Sequence, residues 1–275
     1  MSKIDRVFIT GGAAGLGKAL ALNYAKQGVK VCIADIDDKA GEATLAELKN
    51  IGAEAAYLHC DVCTSNDLED AAQWLSDNWS GVDLVVNNAG VAQMGPIEKV
   101  SIEDWQWIID INILGIVRST KAFLPLFKAQ CSGRFVNVAS MAGYLYMPDA
   151  AAYNATKAAV IAMSETLMLE FEKYNVGVQV VCPAFFRTDL AKNMRSSSAE
   201  SEQMTKRLVE RARIGADEIA EKIADGIRQN TSHIFTHPEA EQALKAKHSM
   251  PFVDFLNMLR GQVAQIAERM ARPES

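Results

Sequence analysis

With 275 residues, 49% of them hydrophobic and 23% charged, the chain can bury a substantial core as one large α/β domain and is too apolar to be disordered. Its net charge of −6, with no basic block and no interleaving of aromatics with Arg or Lys, argues against nucleic acid as a partner. No apolar run approaches the ~18 residues that span a bilayer, and the N-terminus runs into a strand without a signal-peptide apolar region, so a cytoplasmic protein with no membrane span is expected.

The first predicted strand, near 5–10, leads into T-G-G-A-A-G-L-G at 10–17 and a helix near 15–27. Glycine permits a tight turn and close approach of the backbone to a pyrophosphate, and the helix N-terminus presents free N–H groups to it. Gly11, Gly15 and Gly17 depart from the G-x-G-x-x-G spacing, so the turn alone is a weak signal. A second strand near 29–34 ends at Asp35, where a carboxylate can hydrogen-bond an adenine-ribose diol and repel a 2′-phosphate. No Arg or Lys occupies the turn or directly follows Asp35, which favours NAD over NADP; Asp37 or Asp38 can cap the helix near 38–51 instead.

A third strand near 54–60 is followed by Asp61, placed to accept from an adenine amino group or to cap the helix near 64–79, a task open also to Thr64 or Ser65. Cys60 and Cys63 form C-x-x-C without a second ligand pair, so no metal is expected, and five cysteines argue against a disulfide framework. The strand near 82–87 ends in N-N-A-G at 87–90, small and polar enough to pack beside a ligand. The helix expected over 101–129 carries Asn112 in an apolar setting, where its amide needs a partner.

The strand near 133–139 ends at Ser140, and a helix over 152–174 carries Tyr153 and, four residues later, Lys157. Side chains four apart share a helix face, so the ammonium is placed to lower the phenol pKa from about 10 towards neutrality. A strand near 176–182 precedes P-A-F-F-R-T-D-L at 183–190. The pattern then loosens over 185–213, read as a mobile segment that would cover a site with Leu190, Met194, Met204 and Leu208 turned inward. A helix near 216–229 and a short strand at 232–236 close the expected 1–236 domain. From 237 to 275 a helical extension, broken at Pro251, packs on the same domain or on a neighbouring subunit.

Taken in order, T-G-x-x-x-G-x-G, the strand-end Asp, D-V, N-N-A-G, the helical Asn, Ser, Y-x-x-x-K and P-x-x-x-x-T closely resemble the short-chain dehydrogenase/reductase family, most strongly over 5–190. The resemblance implies a Rossmann-type doubly wound parallel sheet with helices on both faces. It also implies a homodimer or homotetramer joined largely through helices 101–129 and 152–174. Cofactor contacts would come from Gly11, Gly15, Leu16, Gly17, Asp35, Asp61, Val62, Asn88, Tyr153, Lys157 and Thr188, the last binding the nicotinamide carboxamide. Tyr153 would exchange the proton, Lys157 assist it and bind the nicotinamide ribose, Ser140 hold the substrate oxygen, and Asn112 hold a water leading to Lys157. Ala184 replaces the glycine that usually follows Pro183, so the local loop path is expected to differ.

Met141, Tyr146 and Phe185 are expected to line the substrate side together with Ser140 and Tyr153. Their apolar character points to a lipophilic secondary alcohol or ketone, such as a steroid-like, terpenoid or long-chain compound. A 3-oxoacyl carrier-protein reductase is the enzymatic alternative, which would call for NADPH and a basic docking patch. A non-enzymatic NAD-binding scaffold is the alternative of another class.

Overall fold

The expected alternation becomes a parallel sheet in the computed structural model, which describes residues 3–271. In chain order the strands are β1 (Arg6–Thr10), β2 (Lys30–Asp35), β3 (Ala55–His59), β4 (Leu84–Asn87), β5 (Gln93–Met94), β6 (Gly133–Val138), β7 (Val176–Cys182), β8 (Arg195–Ser196) and β9 (His233–Phe235). Seven form one sheet in the order β3-β2-β1-β4-β6-β7-β9, with every pairing parallel. β1 has β2 on one side and β4 on the other, so the winding reverses between the carboxyl ends of β1 and β4. Ligands of open α/β sheets bind in such a crevice.

Alternation along β1 sends its side chains to two separate cores. Val7 and Ile9 join Leu16 and Leu20 of α1 (Gly15–Lys26) and Ile219, Ile223 and Ile227 of α8 (Ala216–Arg228). Phe8 points the other way, to Leu68 and Leu75 of α3 (Ser65–Trp79) and Phe123 and Phe127 of α5 (Gly115–Gln130). Helices therefore cover both faces, as a buried parallel sheet requires. Asp37 caps α2 (Asp38–Asn50) by accepting from the Ala40 N–H at 3.0 Å, which leaves Asp35 free of that duty.

Three expected elements change. The helix expected over 101–129 is divided into α4 (Ile102–Ile109), a π-helical turn (Asp110–Leu114) and α5. Asn112 sits in that turn with its side-chain amide bonded to the Val91 backbone, and such turns are frequent at functional sites. The helix expected over 152–174 is α6 (Ala151–Phe171) plus one 3₁₀ turn. The 185–213 segment, whose sequence pattern loosens, carries β8, paired with β5, and α7 (Ala199–Glu210). A two-residue strand has no period to read in sequence.

After β9 the chain forms α9 (Pro238–Ser249) and α10 (Phe252–Ala271), broken at Pro251 as expected. Phe255 of α10 is buried, and α10 packs on α7 and α9. The ends of the expected extension and of the 1–236 domain, residues 272–275 and 1–2, lie outside the described residues. No helix among the described residues is long and apolar enough to cross a membrane.

Candidate active site

The glycine turn is interlocked with the end of β4. Gly11 has φ +63° and Gly15 φ +51°, in the left-handed region open to glycine. A β-carbon on Gly17 would come 2.1 Å from the Gly11 carbonyl oxygen, and one on Gly11 would come 2.9 Å from Ala89 Cα. Asn88 fastens the two segments, its Nδ2 donating to the carbonyls of Thr10 and Gly11 at 3.0 Å each. Thr10 answers by accepting the Asn88 and Ala89 N–H groups at its Oγ1, both at 3.1 Å. Leu16, expected among the cofactor contacts, buries its side chain in the core, so only its backbone can face the turn.

Asp35 lies beside this turn. Its Oδ2 accepts from the Ala13 N–H at 3.0 Å and its Oδ1 from the Asp37 N–H at 3.2 Å. A carboxylate has about four acceptor sites, so capacity remains for a diol. Asp61 accepts from the Cys63 N–H at 2.9 Å in a local turn, and Val62, buried, packs against Gly115. Burial pushes the Cys60 and Cys63 thiols up to about 12, so neither is a ready thiolate. Among the described residues, no cluster of three or more His, Cys, Asp or Glu side chains could hold a metal.

The reacting end is assembled on α6 and the carboxyl ends of β6 and β7. The Ser140 hydroxyl lies within hydrogen-bonding reach of the Tyr153 phenol, and is held by the Ala142 N–H at 3.1 Å and the Pro183 carbonyl at 3.3 Å. Lys157 is 5% exposed; its Nζ donates to the Val138 carbonyl at 2.9 Å and lies 5.7 Å from the Tyr153 ring centre. Asn112 is fully buried, bonded to the N–H and carbonyl of Val91 at 2.9 Å each and to Thr156 Oγ1 at 3.2 Å. The missing β-carbon of Gly90 unites these groups, since its position lies 3.2 Å from Asn112 Oδ1 and 3.4 Å from Lys157 Nζ.

The electrostatics correct one expectation. Burial raises the Tyr153 phenol above its ordinary value, and the Ser140 hydroxyl offsets only part of that. The ammonium expected to lower it is instead bonded to a backbone carbonyl, and burial lowers its own pKa to about 8. At neutral pH the site thus holds a protonated phenol beside a desolvated lysine that is still largely charged.

On the substrate side two more expectations change. Met141 is a core residue, packed in one cluster with Val160 and Ile161. Tyr146 lines a concavity of about 660 Å³ with Gly95, Pro96, Ile97 and the α6 residues Asn154, Ala155 and Ala158, and Tyr153 is not part of that wall. The turn at Asp149, with φ +57°, separates Tyr146 from the start of α6. Phe185 is 42% exposed at the mouth of the 183–188 loop. Leu190 and Met194, expected to turn inward, do so, packing with Tyr153 against Ala92, Met94 and Ala150. Thr188 reaches the glycine turn, its Oγ1 lying 3.0 Å from where a Gly15 β-carbon would be.

Residues 5–199 match the short chain dehydrogenase family, well over half of the chain. The chain belongs to that family. This short-chain dehydrogenase is 31% identical over 255 residues to a CLA biosynthesis dehydrogenase/reductase of Lactiplantibacillus plantarum, covering 86% of this chain and 89% of that one. It is 35% identical over 189 residues to a 3-oxoacyl-[acyl-carrier-protein] reductase of Synechocystis sp., covering 68% and 76%. A solved short-chain dehydrogenase/reductase from Burkholderia phymatum, in complex with NAD, superimposes with TM-score 0.86 at 29% identity, covering 90% of this chain and 95% of that one. As a short-chain dehydrogenase, the protein is an oxidoreductase that binds a nicotinamide cofactor and acts on a small molecule.

The donor set suits a dinucleotide. Ala14 leaves the first turn of α1 without a side-chain cap, and Gly11, Gly15 and Gly17 keep their places in the turn clear of side chains that would obstruct a pyrophosphate. Several contributors gave no sequence signal of their own. Thr156 lies unremarked inside Y-N-A-T-K, and Thr10 is the least distinctive letter of the glycine turn. Arg195 joins the covering segment to α4 through Asp104 at 2.9 Å and lies 4.1 Å from the Trp107 ring centre. These partners are 91 residues apart, beyond any local motif.

Proposed function

We propose that this short-chain dehydrogenase interconverts a lipophilic secondary alcohol and its ketone, with NAD as the preferred cofactor. The observation that carries the reading is the Ser140–Tyr153 hydroxyl pair set against buried Lys157. When bound, the dinucleotide supplies the hydride exchange at its nicotinamide ring. The chain supplies the rest. Ser140 and Tyr153 hold the substrate oxygen, and Tyr153, protonated at neutral pH, donates its proton as a ketone is reduced. Alcohol oxidation runs the same proton transfer backwards, with the Lys157 charge steadying the phenolate that accepts it. Asn112, Thr156 and the Val91 backbone hold the floor beside Lys157 rigid.

NAD preference rests on Asp35 at the β2 end, followed by Asp37 and Asp38, with Lys18 already paired to Glu47. The lipophilic class rests on Leu190, Met194, Ala92 and Met94 around Tyr153. Cofactor contacts are assigned to Gly11, Gly15, Gly17, Asn88, Asp61, Val62 and Thr188 as the family resemblance implies, with Leu16 contributing backbone only. Oxidation is tested by absorbance at 340 nm with NAD and a panel of secondary alcohols that includes steroids. Tyr153→Phe should lower turnover by roughly 10²–10⁴-fold while NAD binding stays near wild type; unchanged turnover removes Tyr153 from the mechanism. The Synechocystis relative favours a second reading, reduction of 3-oxoacyl thioesters. Faster turnover of an acetoacetyl thioester with NADPH than of any alcohol with NAD would select it.

A further inference from the structure

His237 follows the edge strand β9 and stands at the N-cap of α9, yet its side chain does not cap that helix. It turns instead to the loop after β7 and is 7% exposed. Nδ1 lies 3.3 Å from the Ala184 N–H and 2.8 Å from Thr236 Oγ1, and Nε2 lies 3.2 Å from the Phe185 carbonyl oxygen. A carbonyl can only accept, so Nε2 must carry the proton; a backbone N–H can only donate, so Nδ1 must be bare. The contacts select one neutral tautomer.

The strapped loop reaches the site at both ends. Pro183 accepts at its carbonyl from Ser140 Oγ at 3.3 Å and from the Met141 N–H at 2.8 Å. Arg187 donates its N–H to the Ile214 carbonyl at 3.0 Å, and Thr188 lies over the glycine turn. Between these anchors, the polar backbone of Ala184 and Phe185 is met by His237. Ala184 stands where the family resemblance expects glycine and is not among the residues with positive φ, so this loop is held by an imidazole without a left-handed turn at 184.

We infer that His237 is a positioning residue: as the neutral Nε2–H imidazole it holds the 184–185 backbone, keeping the Pro183 carbonyl on Ser140 and Thr188 over the cofactor turn. The inference deepens the reading of the site as a nicotinamide-dependent dehydrogenase and rests on it for its effect on turnover. Protonation would set an Nδ1–H against the Ala184 N–H and release the strap. Burial lowers the His237 pKa most, Lys222 of α8 adds to that, and Glu239 of α9, the Phe185 carbonyl and Glu218 of α8 oppose it. Arg187, in the loop itself, is directed to the Ala212 and Arg213 carbonyls. The net shift is downward from 6.5, so the strap survives neutral pH and is lost in acid, below the ordinary imidazole range.

The test combines NADH binding by fluorescence, hydrogen exchange over 184–188, and ¹⁵N-histidine spectra of the full chain, whose four histidines are few enough to assign by substitution. His237 should show the Nε2–H tautomer and titrate below the ordinary imidazole range. His237→Phe should weaken NADH binding roughly tenfold, speed exchange at 184–188 and abolish the acid fall in affinity. His237→Asn, which keeps an acceptor near Nδ1, should recover part of the affinity without the pH dependence, and serves if the Phe variant fails to fold. An Nδ1–H tautomer, or unchanged exchange in both variants, overturns the strap. If the wild type binds no NADH yet shows the expected tautomer and exchange, the cofactor reading fails and the strap stands.

Discussion

The two ends of the cleft are held by different kinds of contact. At the cofactor end, the glycine turn and N-N-A-G meet at close backbone approach, with Gly17 against the Gly11 carbonyl and the Asn88 amide donating to the Thr10 and Gly11 carbonyls. At the covering end, the 185–213 segment has the short β5–β8 backbone pairing and is otherwise tied down by side chains: Arg195 to Asp104, Arg187 to the Ala212 and Arg213 carbonyls within the segment, and His237 to the Phe185 carbonyl. Backbone interlock tolerates almost no substitution, whereas a side-chain tether can be replaced with modest loss. The first end is built for one class of ligand, and the second can vary with substrate.

Lys157, where the two ends meet, should give the largest effect. Lys157→Met should lower turnover by roughly 10²–10⁴-fold and yet raise stability, because the buried ammonium is held at a pKa of about 8 against 10.5 when unfolded. Below pH 8 both states hold the proton and the full penalty of roughly 3 kcal/mol is present; between 8 and 10.5 the unfolded chain alone keeps it, so stability climbs with pH. Denaturant melts of both proteins from pH 7 to 10 should show the variant ahead at pH 7 and the gap closing above 8. A variant less stable at pH 7 would refute the buried-charge account.

Gly17→Ala tests the interlock. The added carbon meets a carbonyl oxygen at 2.1 Å, so the turn must open, lowering stability by about 1–3 kcal/mol and weakening NAD binding measured by calorimetry. Asp35→Ala should shift the NAD/NADP preference by about tenfold towards NADP, read as the ratio of kcat/KM values; an unchanged ratio defeats the ribose assignment. Arg195→Ala should raise KM about two- to threefold with kcat nearly unchanged, since this half-exposed ion pair is worth at most about 1 kcal/mol. If Arg195→Ala matched Gly17→Ala in effect, the contrast between the two ends would collapse.

Much of the site was legible because its parts are local. Tyr153 and Lys157 share a helix turn, the three glycines share one loop, and Asp35 ends, and Ser140 closely follows, a strand whose apolar run is plain. The direction of the Tyr153 shift was not legible, because it depends on burial, and the lysine's hydrogen bond goes to the Val138 carbonyl, 19 residues away. Met141 and Tyr146 read alike as apolar residues after a strand, but one entered the core and the other lines a concavity with α6 residues.

The sequence by itself determined the sheet, its two helical layers and the order of motifs along the cleft, since periodicity and turn chemistry act over a few residues. Tertiary structure alone decided the break at Asn112, the β5–β8 pairing, the grip of His237 on the 184–185 backbone and the charge balance at Tyr153. Each of these depends on groups far apart in the chain meeting out of water, and neither proximity nor desolvation is written in local spacing.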